Sequence, residues 1–302
     1  MKSAWIRALR SVALTVPDLD AAERFYTQVW RLAVAARDDR DEGVLYLRGS
    51  GADHHLLALH AAPGQPRLRQ VTLRARNAEA LAAIAQATLA AGGTVEQGPC
   101  VATDPAGGQR IVIRDADGRR FEIVHGDARR MADEPPPPDQ PVRLAHAVLN
   151  CHAIVTTQAF LESALGFVLA DRTRIMAFMN CDVDHHSLAL GDTDNDALNH
   201  IAFVMPTLDA VMRGGGRLKD AGLPPQWGPG RHGPGDNAFN YFVDPFGIVI
   251  EYTAEVEQID DSYRAGQPGD WTWPPGRIDQ WGIGTPPTDQ LKQAQRAVFF
   301  SR

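Results

Sequence analysis

The stretch Asp53-His54-His55-Leu56-Leu57-Ala58-Leu59 returns later in the chain as Asp184-His185-His186-Ser187-Leu188-Ala189-Leu190, with six of seven positions identical and His186 standing 131 residues after His55. Three more segments repeat at nearly the same distance. Asp115–Glu122 matches Asp244–Glu251 at an offset of 129, Gln70–Leu73 matches His200–Phe203 at 130, and Ser11–Thr15 matches His146–Asn150 at 135. Four segments in the same order at near-constant spacing read as an internal duplication.

Each copy halves again. Four short β-type runs, Ser11–Val16, Gln70–Ala75, His146–Cys151 and His200–Met205, each lead toward a residue able to cap a helix: Asp18, Asn77, Thr156 and Thr207. After each helical stretch come alternating apolar runs: Gly43–Leu47, His55–Leu59, Arg110–Arg114, Arg120–Val124, Ile175–Met179, His186–Leu190, Asn240–Val243 and Ile248–Tyr252. The unit is β-α-β-β-β, four times over, with one strand of each unit less distinct than the others.

Glu134-Pro135-Pro136-Pro137-Pro138-Asp139 can continue neither a helix nor a central strand. The division expected is therefore a module pair over residues 1–126, an extended linker over 127–142, a second module pair over 143–255, and a tail over 256–302. That tail carries Trp271, Trp273, Pro274, Pro275 and Trp281 and reads as a strap over a domain or a neighbouring subunit.

Composition narrows the function. The 302 residues are 44% hydrophobic and 22% charged, as in a globular protein. Lys+Arg number 30 against 37 Asp+Glu, for a net charge of −7, which argues against a nucleic-acid partner. No run approaches the length of a membrane span, and Met1–Arg7 lacks the apolar run of a signal peptide. Cys100, Cys151 and Cys181 are scattered and odd in number, so neither a disulfide framework nor a cysteine zinc site is expected, and the expected compartment is the cytoplasm.

The two copies differ in chemistry. Where the second has His146 the first has Ser11, and where the second has His200 the first has Gln70. Both keep a carboxylate, Glu122 and Glu251. The second copy alone offers two imidazoles and a carboxylate, the facial set of non-haem Fe(II) oxygenases. A glutamate shared by both copies also suits a structural role. The run Arg213-Gly214-Gly215-Gly216 is no phosphate loop, because no Gly-Lys-Ser/Thr follows.

Residues 143–253 resemble the type I extradiol catechol dioxygenases of the vicinal oxygen chelate superfamily, and the resemblance extends over residues 5–255. It rests on Leu144-Ala145-His146-Ala147-Val148, Leu198-Asn199-His200-Ile201-Ala202 and Asp244-Pro245-Phe246-Gly247-Ile248-Val249-Ile250-Glu251-Tyr252. Further matches are Asp184-His185-His186, the turn Gly230-Arg231-His232-Gly233, and Tyr241 nine residues after His232. The resemblance implies an α+β fold of two domains, each a pair of modules forming a curled mixed sheet around a cavity. It implies His146, His200 and Glu251 as metal ligands for Fe(II), with Mn(II) suited by the same set. It implies His186, rather than His185, as the catalytic acid–base, opening the last strand of the third module. His232 and Tyr241 would hydrogen-bond the substrate. The first half carries Thr103 and Val112 at the places of His232 and Tyr241, and is expected to be non-catalytic.

The activity implied is meta-cleavage of a catechol by O2, in a homo-oligomer. Two neutral imidazoles and one carboxylate give a divalent ion a net charge of +1, suited to a catecholate. Phe178, Met179, Cys181 and Val183 are candidates to line the pocket, and the Gly/Pro-rich loop 228–235 is a candidate cover. The competing readings are a glyoxalase- or epimerase-type isomerase, which uses more protein ligands including a second carboxylate, and a binding protein of the bleomycin-resistance type, which needs neither this length nor a metal triad.

Overall fold

The computed structural model describes residues 3–38 and 43–301. The first module runs β1 (Ile6–Val16), α1 (Leu19–Arg24), β2 (Ala33–Asp38), β3 (Val44–Arg48) and β4 (Leu57–Ala61). The second runs β5 (Leu68–Ala75), α2 (Glu79–Ala90), β6 (Thr94–Val101), β7 (Gln109–Arg114) and β8 (Arg120–His125). The third is β9 (Arg143–Cys151), α3 (Ile154–Leu165), β10 (Val168–Arg172), β11 (Met176–Asn180) and β12 (Leu188–Asp192). The fourth is β13 (Ala197–Val204), α4 (Leu208–Asp220), β14 (Trp227–Arg231), β15 (Ala238–Val243) and β16 (Val249–Ala254). The tail adds α5 (Asp289–Ala294) and β17 (Val298–Phe299).

These elements form two mixed sheets of like topology, an α+β architecture. The first has the order β2-β3-β4-β1-β5-β8-β7-β6; the second repeats it as β10-β11-β12-β9-β13-β16-β15-β14, with β17 against β13. In each module the last strand lies parallel to the first, so the crossover helix is needed between them. The two modules of a sheet meet through their antiparallel first strands, β1 on β5 and β9 on β13. The first strands are thus central, and residues placed on them are buried. None of the helices described is long and apolar enough to cross a membrane.

Local signals explain most boundaries. Asp18 Oδ1 accepts from Ala21 N at 2.9 Å, Asn77 Oδ1 from Ala80 N at 2.9 Å, and Thr207 Oγ1 from Ala210 N at 3.1 Å. Thr156 is a correction: it lies inside α3, which starts at Ile154 with no side-chain cap. The helix opens on the buried Ile154 soon after β9 ends, and the neighbouring Thr157 hydroxyl donates to the Ala153 carbonyl at 3.2 Å.

The Pro-rich stretch ends in a tight seam. Ser50 N donates to Pro141 O at 2.9 Å and Gly51 N to Val142 O at 3.0 Å. A Cβ at Gly49 would stand 2.5 Å from Pro141 O, so only glycine permits this approach. One hydrophobic core runs through both sheets and their helices, from Leu14 and Trp30 to Phe203 and Tyr252.

Candidate metal centre and active site

Register assembles the site. His146 on β9 pairs with Ala202 on β13, Ala202 with Glu251 on β16, and Glu251 with Tyr241 on β15. These four residues form one row across four strands. His200 is two residues from Ala202 and so shares its face. The intervening Ala147, Ile201, Ile250 and Tyr252 turn the other way into the core. The first sheet holds the same row as Ser11, Thr72, Glu122 and Val112.

The second-half row converges on a point. His146 Nε2 and His200 Nε2 each stand 3.2 Å from Glu251 Oε2, and 3.3 Å from each other. All three side chains are buried. His200 Nδ1 lies 2.8 Å from Asn199 Oδ1, which can only accept, so that imidazole carries its proton on Nδ1 and turns the Nε2 lone pair inward. A buried cluster of imidazole nitrogens and a carboxylate has the donor set to hold a cation among them. Adjacent ligands of an ion held at about 2.0–2.2 Å stand near 3 Å apart, which these separations match.

The electrostatics agree. Burial alone would push Glu251 up, but its hydrogen bonds and charge interactions with His146 and His200 hold it well below the usual carboxylate range. Burial lowers His200 despite the opposing pull of Glu251. Burial, then the neighbouring imidazoles of His146 and His185, lowers His186 strongly. His232 is lowered to about 4, chiefly by burial. Burial beside Glu251 keeps the Tyr241 hydroxyl protonated far above neutrality.

His186, His232 and Tyr241 join His146 and His200 around one cavity of about 470 Å³. The His186 ring stacks over His146 with centroids 4.4 Å apart. His232 Nε2 is 3.1 Å from the Tyr241 hydroxyl, which is itself 3.4 Å from His200 Nε2. His186 does not open the strand as expected: β12 begins at Leu188, and His185 and His186 lie in the turn before it. Their division of labour comes from partners rather than strand alternation. His185 Nε2 bonds Asp171 Oδ2 at 2.8 Å, leaving His186 to face the cavity.

Other expectations need correction. Phe178 lines the cavity, whereas Met179 and Cys181 belong to the core and Val183 lines a separate cleft. The loop expected over 228–235 is half strand, because Gly228–Arg231 belongs to β14, and of this stretch His232, Gly233 and Pro234 reach the cavity.

Several residues were not foreseen. Asn199 sits behind His200, and Gln295 of the tail donates to the same Asn199 oxygen at 3.0 Å. Asn237, fully buried, points its amide to Glu251 Oε1 at 3.5 Å and Thr253 Oγ1 at 2.7 Å. The aromatic tail, read from the sequence as a strap over a domain or a neighbouring subunit, contributes Trp271, Trp273 and Ile278 to the cavity wall. Asparagine within a strand was the available signal for Asn199, since that residue type is depleted there.

In the first half, the matching carboxylate is paired with a cation from the chain. Arg110 Nη1 bonds Glu122 Oε1 at 2.8 Å, and Gln70 bonds the other oxygen. A surface trio of Asp117, His152 and Asp196 is likewise taken up by Arg119, which bonds both carboxylates.

Comparison with known proteins follows this geometry. Metapyrocatechase 2 of Cupriavidus necator is 28% identical over 309 residues, covering 93% of this chain and 90% of that protein. The metapyrocatechase of Pseudomonas sp. (strain CF600) is 26% identical over 261 residues, 78% of this chain and 82% of that one. Among solved structures, the Mn(II)-bound glyoxalase from Novosphingobium aromaticivorans superposes with a TM-score of 0.85 at 33% identity, covering 95% of this chain and 94% of that one. A homoprotocatechuate 2,3-dioxygenase variant from B. fuscum shares the fold at TM-score 0.82 and 21% identity, covering 93% and 80%. The profile of one family matches residues 8–123 and again 143–252, so both sheets are accounted for, and the chain belongs to the Glyoxalase/Bleomycin resistance protein/Dioxygenase superfamily.

Proposed function

We propose that the protein is an extradiol ring-cleaving dioxygenase that opens a catechol-type ring with O2, using a divalent metal, Fe(II) or Mn(II), held by His146, His200 and Glu251. Residues 143–255 form the working domain, and residues 1–126 a copy whose metal position is filled by Arg110. The observation that carries this reading is the convergence of two imidazole nitrogens and one carboxylate oxygen at 3.2–3.3 Å beneath a cavity that also holds His186, His232 and Tyr241. The similarity to two metapyrocatechases supports it.

Held by His146, His200 and Glu251, a redox-active ion would supply the electronic coupling between a bound diol and O2. The side chains do the rest. His186, neutral at pH 7, accepts a proton from a substrate hydroxyl and returns it as the O–O bond breaks. Tyr241 and His232 donate hydrogen bonds to oxygen where negative charge develops. Both atoms of O2 end in the ring-opened acid, so no further reductant is consumed.

The Mn(II)-bound glyoxalase neighbour raises the isomerase reading. Against it, among the described residues no aspartate or glutamate lines the cavity and Glu251 is the one carboxylate of the candidate ligand set, so the second carboxylate ligand of such sites is missing. The test is anaerobic loading with Fe(II) or Mn(II), then a panel of catechols with O2, following oxygen uptake and product mass. Ring-opened product with stoichiometric O2 uptake is expected. Bound metal without O2 uptake on any catechol overturns the reading.

A further inference from the structure

The cavity is much larger than one hydroxylated ring. Its volume of about 470 Å³ falls within the roughly 300–1,000 Å³ typical of sites for drug-sized ligands. The ligand set and its three partners occupy one part of the wall. The remainder comes from the turn between β10 and β11, with Ile175 and Met176, and from the tail, with Trp271, Trp273 and Ile278.

This tail wall is built, not merely adjacent. Gly266 N donates to the buried Asp171 Oδ1 at 2.6 Å, and Arg172 N to Gly266 O at 3.0 Å. Gln280 bonds the backbone of the His232 turn twice, from N to Arg231 O at 2.8 Å and from Nε2 to His232 O at 2.5 Å. Between these anchors the Trp271 indole is wedged between two glycines. A Cβ at Gly266 would come within 2.7 Å of it, and one at Gly233 within 3.2 Å of it and 2.7 Å of Trp273. Two indoles and Ile278, set between these anchors, recognise an apolar group, and planar rings best. Arg174 at the rim is the one charged side chain of the lining, and it disfavours a cationic substituent.

Resting on the reading above, we propose that the preferred substrate is a vicinal aromatic diol bearing a bulky apolar substituent, an aryl group foremost. The diol faces His146, His200 and Glu251, and the substituent packs on Trp271, Trp273 and Ile278.

The test compares catechol, methylcatechol and phenylcatechol on the Fe(II)-loaded full chain, by kcat/KM from oxygen uptake. A preference of tenfold or more for phenylcatechol over catechol is expected. Trp273→Ala and, separately, Ile278→Ala should collapse that preference below threefold, mainly through KM. Quenching of tryptophan emission in the metal-free protein, titrated anaerobically, should give the same order of affinities. If catechol is cleaved as well as or better than phenylcatechol, or if the preference survives both variants, this inference fails while the dioxygenase reading stands. If metal binds and no diol is opened, both fall.

Discussion

The Trp30 indole lies flat on the Tyr252 ring, with centroids 3.7 Å apart and planes 9° from parallel, and the Tyr252 hydroxyl donates to the Trp30 carbonyl at 2.7 Å. Tyr252 directly follows Glu251, so alternation turns it away from the cavity into the shared core. A residue of the first half therefore buttresses the strand that presents the carboxylate. Trp30 is fully buried, with Phe203 and Phe242 at its edges. Trp30→Ala should cost about 3–5 kcal/mol in urea unfolding of the metal-free protein.

The same ring explains one glycine of the run in α4, Gly214. Glycine to alanine in a helix ordinarily stabilises by up to about 1 kcal/mol. At Gly214 the new Cβ would stand 2.6 Å from the Tyr252 ring, itself pinned by Trp30 and unable to retreat. At Gly216 nothing lies within 4 Å. Gly216→Ala should therefore raise the unfolding midpoint, and Gly214→Ala should lower it. Equal shifts in the two variants would show that Tyr252 is not held as described.

The duplication made much of this legible. Comparing Ser11 with His146 and Gln70 with His200 pointed to the only half with a full ligand set, and the strand pattern put those residues on first strands. Register, which no single strand reveals, then placed His146, Ala202, Glu251 and Tyr241 in one row. What stayed hidden depends on distant chain. The tail was legible as a strap, but its loops have no periodicity to say which of its residues touch what, and the role of Asn199 exists only because His200 and Gln295 meet at its oxygen. The missed start of α3 has a similar cause, since Ile154 begins the helix under packing pressure rather than a capping residue.

Asn199 gives a prediction about metal affinity. Its carbonyl oxygen fixes the proton of His200 on Nδ1 and aims Nε2 at the centre. Partners of this kind typically account for ten- to a hundredfold in affinity. Asn199→Ala should weaken Fe(II) or Mn(II) binding by that factor in a direct titration, and Asn199→Asp, which keeps an acceptor, should recover most of it. Unaltered affinity in the alanine variant would remove the orienting role.

Acid should destabilise the metal-free protein through its buried neutral imidazoles. His60, outside the candidate site, is lowered to about 4 by burial and by Arg69 and Arg120. The unfolded chain, with a histidine near 6.5, binds the proton more readily over this range. Its contribution is therefore fully present above about pH 6.5 and is lost as pH falls toward 4. The loss from this one group is at most about 3 kcal/mol. His60→Gln has no such proton to bind, so the fall in stability between pH 7 and pH 4.5 should be shallower than in the parent, measured by urea unfolding.

His186 separates metal binding from turnover. It stacks on His146 and lines the cavity, yet its ring nitrogens lie outside the trio within 4.8 Å of one another. Its nearest nitrogen partner is His185 Nδ1, at 3.0 Å from its own Nδ1, and His185 is itself tied to buried Asp171. The His186 ring is thus oriented from behind without being a ligand, as a proton carrier should be. His186→Phe keeps the ring volume and removes the proton. It should retain metal affinity within a few-fold and lose about 10²–10⁴ in kcat with little change in KM. Loss of the metal along with activity would instead make His186 part of the binding set. Retained kcat would assign the proton transfer to His232 or Tyr241, which reach the same cavity and are not among the proposed ligands.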